Sequence, residues 1–476
     1  MVQAGARALI LNLQPYTALK DSGVPWLGKV PRHWEVRRGK SLFRNNKELN
    51  SNLRSTNVLS LTLRGVVNNN PDDPEGLVPK DYGSYQLFAR NDLVFKLIDL
   101  ENIRTSRVGL VHEDGIMSPA YVRLVKAHTG IQRYYFHQYF DLYARGIFNQ
   151  LGAGVRSTLS AQDLLDVPVL NPTAEEQAAI VQFLDHADRK IGRHVRAKQK
   201  LIKLLEERKQ AIIQRAVTRG LDPIVRLKSS GVNWLGDIPE QWEVRPAKSY
   251  FLEVDERSVS GEEELLSVSH ITGVTPRSQK NITMFMAISY VGHKLCRRRD
   301  LVINTMWAWM GALGVSRQTG LVSPSYAVYR PRPRSPLDDD YVDLLLRTAP
   351  YLSEYVRRST GIRSSRLRLY PEQFLRIPIL CPPEKEQREI AARVVSDTAA
   401  IARGIVTAIR EIDLIREYRT RLATAVVTGE LDVREAAAQL PEETEKDQRL
   451  DDLETLADRD EGTEDDLERV LEGTEA

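Results

Sequence analysis

The chain is written twice. The segment GVPWLGKVPRHWEVRRGKSLF, from Gly23 to Phe43, returns as GVNWLGDIPEQWEVRPAKSYF, from Gly231 to Phe251. The offset of 208 pairs Trp26 with Trp234, Trp34 with Trp242, Glu35 with Glu243 and Phe43 with Phe251. Val58 to Val66 answers Leu265 to Val274, and Ser118-Pro119-Ala120-Tyr121 answers Ser323-Pro324-Ser325-Tyr326. Gly154-Val155-Arg156-Ser157 answers Gly361-Ile362-Arg363-Ser364. Last, Gln177, Ile180, Ile191, Thr218, Leu221 and Asp222 answer Gln387, Ile390, Ile401, Thr428, Leu431 and Asp432 at a constant offset of 210. Such a duplication requires one fold of about 200 residues to be made twice.

The offset drifts by a few residues early in each copy, where loops change length. From Gln177 to Asp222 it does not move, as a long helix demands, because one inserted residue would rotate everything after it by about 100°. Apolar residues at Ile180, Leu184, Ala187, Ile191, Val195, Leu201, Leu205 and Ile212 fall mostly three or four apart, with charges between them. The second copy repeats this with Ile390, Val394, Ile401, Ile405, Ile412, Ile415 and Leu422. Each stretch predicts a helix of about 60 Å. A stripe this narrow calls for the two helices to pair with each other; the alternative is that each packs on its own domain.

The rest of each copy reads as mixed. Strands are predicted at Leu93-Val94-Phe95, Val108 to Val111, Tyr121 to Val125, Leu301 to Ile303, Gly320 to Val322 and Tyr326 to Tyr329. Helices are predicted at Gln132 to Arg145 and Asp338 to Arg358. The expected fold class is α+β, two tandem mixed globules each followed by a long helix, with the helices paired as an antiparallel coiled coil in a pseudo-twofold repeat. The expected boundaries are a leader at 1–20, a first domain at 21–174, a central helix at 175–220, a second domain at 221–385, a distal helix at 386–432 and an acidic tail at 433–476.

Charge follows the same division. The net +3 of the 476 residues hides 17 acidic and 5 basic residues in 433–476, a local charge of −12. Residues 1–432 hold the remaining 62 basic and 47 acidic groups, a charge of +15. A basic body points to a polyanionic partner, and the tail reads as disordered or weakly helical. Two cysteines exclude a disulfide scaffold, and no apolar window or signal-like start is found, so the expected location is the cytoplasm.

Catalytic motifs fail one by one. Gly23-x4-Gly28-Lys29 approaches a phosphate loop, but Val30 stands where a hydroxyl should hold magnesium and Asp237 replaces the lysine in the second copy. Gly152-Ala153-Gly154 lacks the third glycine of a dinucleotide site. An amino-methyltransferase signature is missing, and the acidic-x-Lys triplets Asp188-Arg189-Lys190 and Glu207-Arg208-Lys209 fall on a predicted helix. No catalytic residue, cofactor site or metal site is expected in this chain.

The strings GVNWLGDIPEQWEV, LLSVSHITGV, DLVINTMWAWMGALGVS, GLVSPSYAVYRP, GIRSSRLRL and IPILCPPEKEQREIA follow in that order. In them the second copy resembles the target-recognition half of specificity subunits of type I restriction-modification enzymes, and the resemblance spans roughly residues 21–432. It implies a non-catalytic DNA-binding subunit. Each target-recognition domain would read one half of a bipartite double-stranded site, and the paired helices would set the gap. Two methyltransferase subunits, carrying S-adenosylmethionine, would dock on those helices. Motor-nuclease restriction subunits would supply ATP- and Mg-dependent cleavage. The alternatives are a stand-alone or antirestriction DNA-binding protein and a helical scaffold without specific DNA recognition.

Phosphate contacts need Lys, Arg or small polar groups, and base readout needs Arg, Lys, Asn, Gln or hydroxyls on loops. The candidates in copy one are Arg64, Asn68, Lys96, Arg104, Arg107, Arg156 and Ser157. In copy two they are His270, Thr272, Arg277, Asn304, Trp307, Arg317, Arg363, Ser364 and Arg366. Trp307 and Trp309 are candidates to wedge or stack against DNA, against the alternative that residues two apart on a strand divide between core and surface. Arg297-Arg298-Arg299 and Arg330 to Arg334 read equally as phosphate clamps and as solvated turns.

Overall fold

The unbroken offset of 210 becomes two long helices, α1 (Ala174–Arg219) and α2 (Glu384–Val427). The structure is a computed structural model that describes residues 13–62, 65–70, 81–100, 107–127, 130–152, 158–279, 289–361 and 367–441. Two compact units divide the chain, and the division runs through both helices. The first unit holds the described residues up to Ala197 and from Glu411 onward, and the second holds Lys198–Arg410. Each unit therefore owns half of α1 and half of α2.

In the first unit, a four-stranded antiparallel sheet has the order Val108–Leu110, Leu93–Phe95, Val122–Lys126, Phe43–Asn45. The strand Glu35–Arg38 pairs with Pro168–Asn171, which leads directly into α1. Ile180, Phe183, Leu184 and Ala187 of α1 share one core with Leu422, Val426 and Val427 of α2. The guanidinium of Arg419 on α2 donates from Nε and Nη2 to the two carboxylate oxygens of Asp188 on α1, at 2.7 and 2.9 Å. The opening half of α1 thus lies beside the closing half of α2.

The second unit repeats the plan. Its sheet has the order Leu313–Val315, Leu301–Ile303, Ala327–Pro331, Phe251–Val254, and Glu243–Pro246 pairs with Pro378–Cys381. Ile213, Ala216 and Val217 of α1 share a core with Ile390 and Val394 of α2. Leu205 Cδ1 stands 3.6 Å from the point that a β-carbon on Gly404 would occupy. Here the closing half of α1 meets the opening half of α2, so the helices run antiparallel in both units. Pairing and domain packing, set against each other by the sequence, both occur. The apolar stripe meets the partner helix and enters the domain cores at its ends.

The repeated residues explain themselves on burial. Trp34 and Trp242 are fully buried, each at the entry to its domain; a large side chain so placed stabilises by about 1.5–3 kcal/mol. Gln177 and Gln387 are also buried, in the first turn of α1 and α2. Gln387 accepts the Asp338 backbone N–H at 2.7 Å and donates to the carbonyls of Pro382 and Pro336 at 2.7 and 3.0 Å. Gln177 accepts the Ile131 N–H at 2.9 Å and donates to the Pro172 carbonyl at 3.1 Å. In each unit one glutamine ties the long helix to the start of the domain's own helix.

Two details depart from the sequence reading. The single helix expected over Asp338 to Arg358 is two, Asp339–Leu346 and Ala349–Arg358. Pro350 has no N–H to donate and fits only in the first turn of a new helix. At the other end, the ordered chain continues past Asp432, where the repeat stops. Leu431–Asp432 pairs antiparallel with Gln14–Pro15, and Val433 and Ala437 are buried in the first unit's core. No described helix is long and apolar enough to cross a membrane.

Candidate nucleic-acid interface

In each unit a central strand of the sheet runs into a loop, and that loop anchors the segment following the GxRS string. In the first unit the Leu159 N–H donates to the Leu97 carbonyl at 3.0 Å; in the second, Leu369 N–H donates to the Thr305 carbonyl at 2.8 Å. Thr360 and Arg368 exchange backbone hydrogen bonds of 3.0 and 2.9 Å, closing the chain around residues 361–367. Leu159 and Leu369, shortly after the two GxRS strings in sequence, are thus held at equivalent points. Arg156, Ser157, Arg363, Ser364 and Arg366 lie outside the described residues, as do Arg64 and Arg104.

Arg107 is a correction. It is fully buried, and its guanidinium donates to the Ile98 carbonyl at 2.8 Å and to the Asp99 carbonyl. Asp99 sits at a positive φ of 55°. The arginine serves the loop, and burial pushes its pKa below the ordinary value. Lys96 beside it is half-buried, its pKa lowered by burial and then by the charge of Arg107. Asn304 is a second correction: fully buried, it accepts the Met306 N–H at 3.2 Å and donates to the Tyr326 hydroxyl at 3.2 Å. Both shape the loop from inside rather than face a ligand.

The remaining candidates lie nearer the surface. Asn68 is exposed and hydrogen-bonded to Asn57, His112 and Glu113. His270 and Thr272 form the turn between Leu266–Ser269 and Gly273–Pro276, where Arg347 holds the His270 carbonyl and the Thr272 hydroxyl lies 3.0 Å from that of Ser269. Arg277 is half-buried just beyond this hairpin. Arg317 is exposed and paired with Asp340 at 2.5 Å. The arginine runs are largely internal fasteners: Arg297 pairs with Glu256, Arg299 with Asp339, and Arg330 with Asp300 and Glu256.

No protein-family model and no curated protein sequence matches the chain. Among solved structures, a chain from a study of complex assembly and conformational transition of the type I R-M system matches with a TM-score of 0.54 at 14% identity, over 84% of this chain and 98% of that one. The chain shares the fold of that solved chain. Two further structures are the HsdS subunit from Thermoanaerobacter tengcongensis, with 16% identity, a TM-score of 0.36 and coverage of 84% and 96%, and the type I S subunit from M. genitalium, with 13%, 0.33, 83% and 96%.

Within this fold, the structure adds residues that sequence reasoning passed over. Arg368 is exposed beside the anchor point, its guanidinium 5.4 Å from the centre of the Tyr370 ring. The RLRL run after the GxRS string was the available signal. Met306 is 41% exposed on the loop that holds the anchor carbonyl. Trp307 and Trp309 do not divide between two faces of a strand. They sit on a short 3-10 turn, both half-buried, with ring centres 5.8 Å apart and planes tilted by 32°.

Proposed function

We propose that this chain is the DNA-specificity subunit of a type I restriction-modification complex. Each domain reads one half of a bipartite duplex site, and α1 and α2 set the separation of the halves and dock the methyltransferase subunits. The observation that supports this reading best is the duplication itself. One sheet, one backbone anchor at Leu159 or Leu369 and one glutamine-tied long helix recur in both units, while the loops around the anchors differ in sequence. A frame kept constant with diverged loops is what reading two different half-sites requires. Chemistry belongs to the partners: methyl transfer with S-adenosylmethionine on one set of subunits, ATP hydrolysis and cleavage on another. The domain limits 21–174 and 221–385 and the DNA-contacting roles of Asn68, Lys96, His270, Thr272, Arg277, Trp307, Arg317 and the GxRS arginines are part of this proposal.

Methylome sequencing of the host with and without the gene tests it. The expected outcome is a split, asymmetric methylated motif that disappears on deletion. Replacing residues 21–174 with those of another specificity subunit should change one half of that motif, and a change in both halves would refute modular reading.

A further inference from the structure

We propose that the loop from Met306 to Met310 is a stacking wedge that inserts between bases of the half-site read by the second domain. This rests on the DNA-reading function proposed above. The loop is stiff from within. The buried Asn304 holds the Met306 N–H, the Thr305 hydroxyl donates to the Ser325 carbonyl at 3.0 Å, and the Ala312 N–H closes back on the Trp307 carbonyl at 3.1 Å. Gly311 turns the chain at a φ of 89°, where a β-carbon would stand 3.1 Å from Leu352 Cδ2. Trp309 spends its only polar atom inside the loop, donating Nε1 to the Met306 carbonyl at 2.9 Å.

What remains is a largely apolar, aromatic tip whose Trp309 indole N–H is already used inside the loop. Such a surface gains from stacking on a base. Its frame carries a cation: the Thr305 carbonyl ties it to the segment carrying the exposed Arg368, while the helix Ala349–Arg358, whose Arg357 and Arg358 pair with Glu354, lies against it. Apolar wedges flanked by cations suit a duplex kinked at one step, with phosphates on either side. The first domain has Ile98, 46% exposed, at the position of Met306, and no aromatic side chain among the described residues of that loop. The wedge therefore belongs to one half-site.

The test uses the full-length protein and a duplex that it selects from a randomised pool, with 2-aminopurine placed at successive steps of the selected motif. The expected result is a fluorescence rise at one step of one half-site. Met306→Glu should abolish it and weaken binding by about tenfold, while Trp309→Phe keeps both the signal and, within about threefold, the affinity. The slope of affinity against salt should be the same in the wild type and Trp309→Phe, because phosphate contacts are untouched. Unchanged signal and affinity in Met306→Glu would overturn the proposal, as would a wild-type protein that gives no 2-aminopurine signal at any step. Loss of a co-purifying methyltransferase with DNA binding intact would make the loop a protein contact and also overturn it. If the wild type selects no duplex and its binding is insensitive to salt, the specificity function fails, and the wedge with it.

Discussion

At the scale of single residues, identity predicts less than surroundings do. Arg107 and Arg317 look alike in sequence, yet one is buried and holds two loop carbonyls while the other pairs on the surface. The difference lies in the backbone turn at Asp99, which no residue pattern announced. Glu176 carries the sharpest residue-level consequence. Its carboxylate is buried and accepts from Tyr16 Oη at 3.2 Å, His33 Nε2 at 2.8 Å and Trp34 Nε1 at 3.3 Å, with Arg434 at 3.8 Å. Burial pushes its pKa up, but the His33 and Trp34 hydrogen bonds outweigh burial and hold it below the ordinary carboxylate value. A depressed folded pKa contributes stability above the unfolded value of about 4.3, and that stability is lost as pH falls through the folded value. Glu176→Gln should therefore cost about 1–3 kcal/mol at pH 7 in urea unfolding, with the deficit shrinking as pH falls below 4. In the second unit, Glu386 receives only Gln241 Nε2, at 3.4 Å, while Trp242 Nε1 has no hydrogen-bond partner among the described residues. Glu386→Gln should cost less, and an equal cost would refute the role given to the three donors.

At the scale of elements, what the sequence made legible was whatever insertion cannot disturb. The fixed offset marked both long helices to within a few residues of their ends, because helical phase is destroyed by a single inserted residue. The strands Leu93–Phe95 and Leu301–Ile303 were legible as fully buried apolar runs. The break at Thr348 was not, since the apolar period carries across it and only Pro350 marks the new start. The repeated glutamines were visible as a matched pair without a visible task. Their geometry supplies one, and a prediction with it. Gln387→Ala leaves the buried end of α2 without its tie to the helix Asp339–Leu346, and should lower the urea midpoint by the equivalent of about 1–3 kcal/mol. Gln177→Ala should do the same to the first unit. A loss under about 0.5 kcal/mol in both would mean that the glutamines merely fill space.

At the scale of the whole molecule, the +15 of residues 1–432 is the property that a DNA partner meets first. The arginines paired to Glu256, Asp300 and Asp339 are already offset in that sum, so the excess rests on other basic groups. Residues 442–476 carry 16 acidic and 4 basic groups, a charge of −12. A polyanionic segment covalently joined to a basic protein competes with DNA through long-range repulsion, which a Debye length of about 10 Å at 0.1 M salt progressively screens. Deleting 442–476 should strengthen binding to random-sequence duplex several-fold at 50 mM salt and leave it unchanged at 300 mM. The preference for the selected site over random sequence should fall at low salt, because the tail opposes the sequence-independent term while the base-specific contacts remain. Filter binding of both proteins across that salt range decides the matter. Equal affinities at every concentration would show that the tail's charge does not act on DNA.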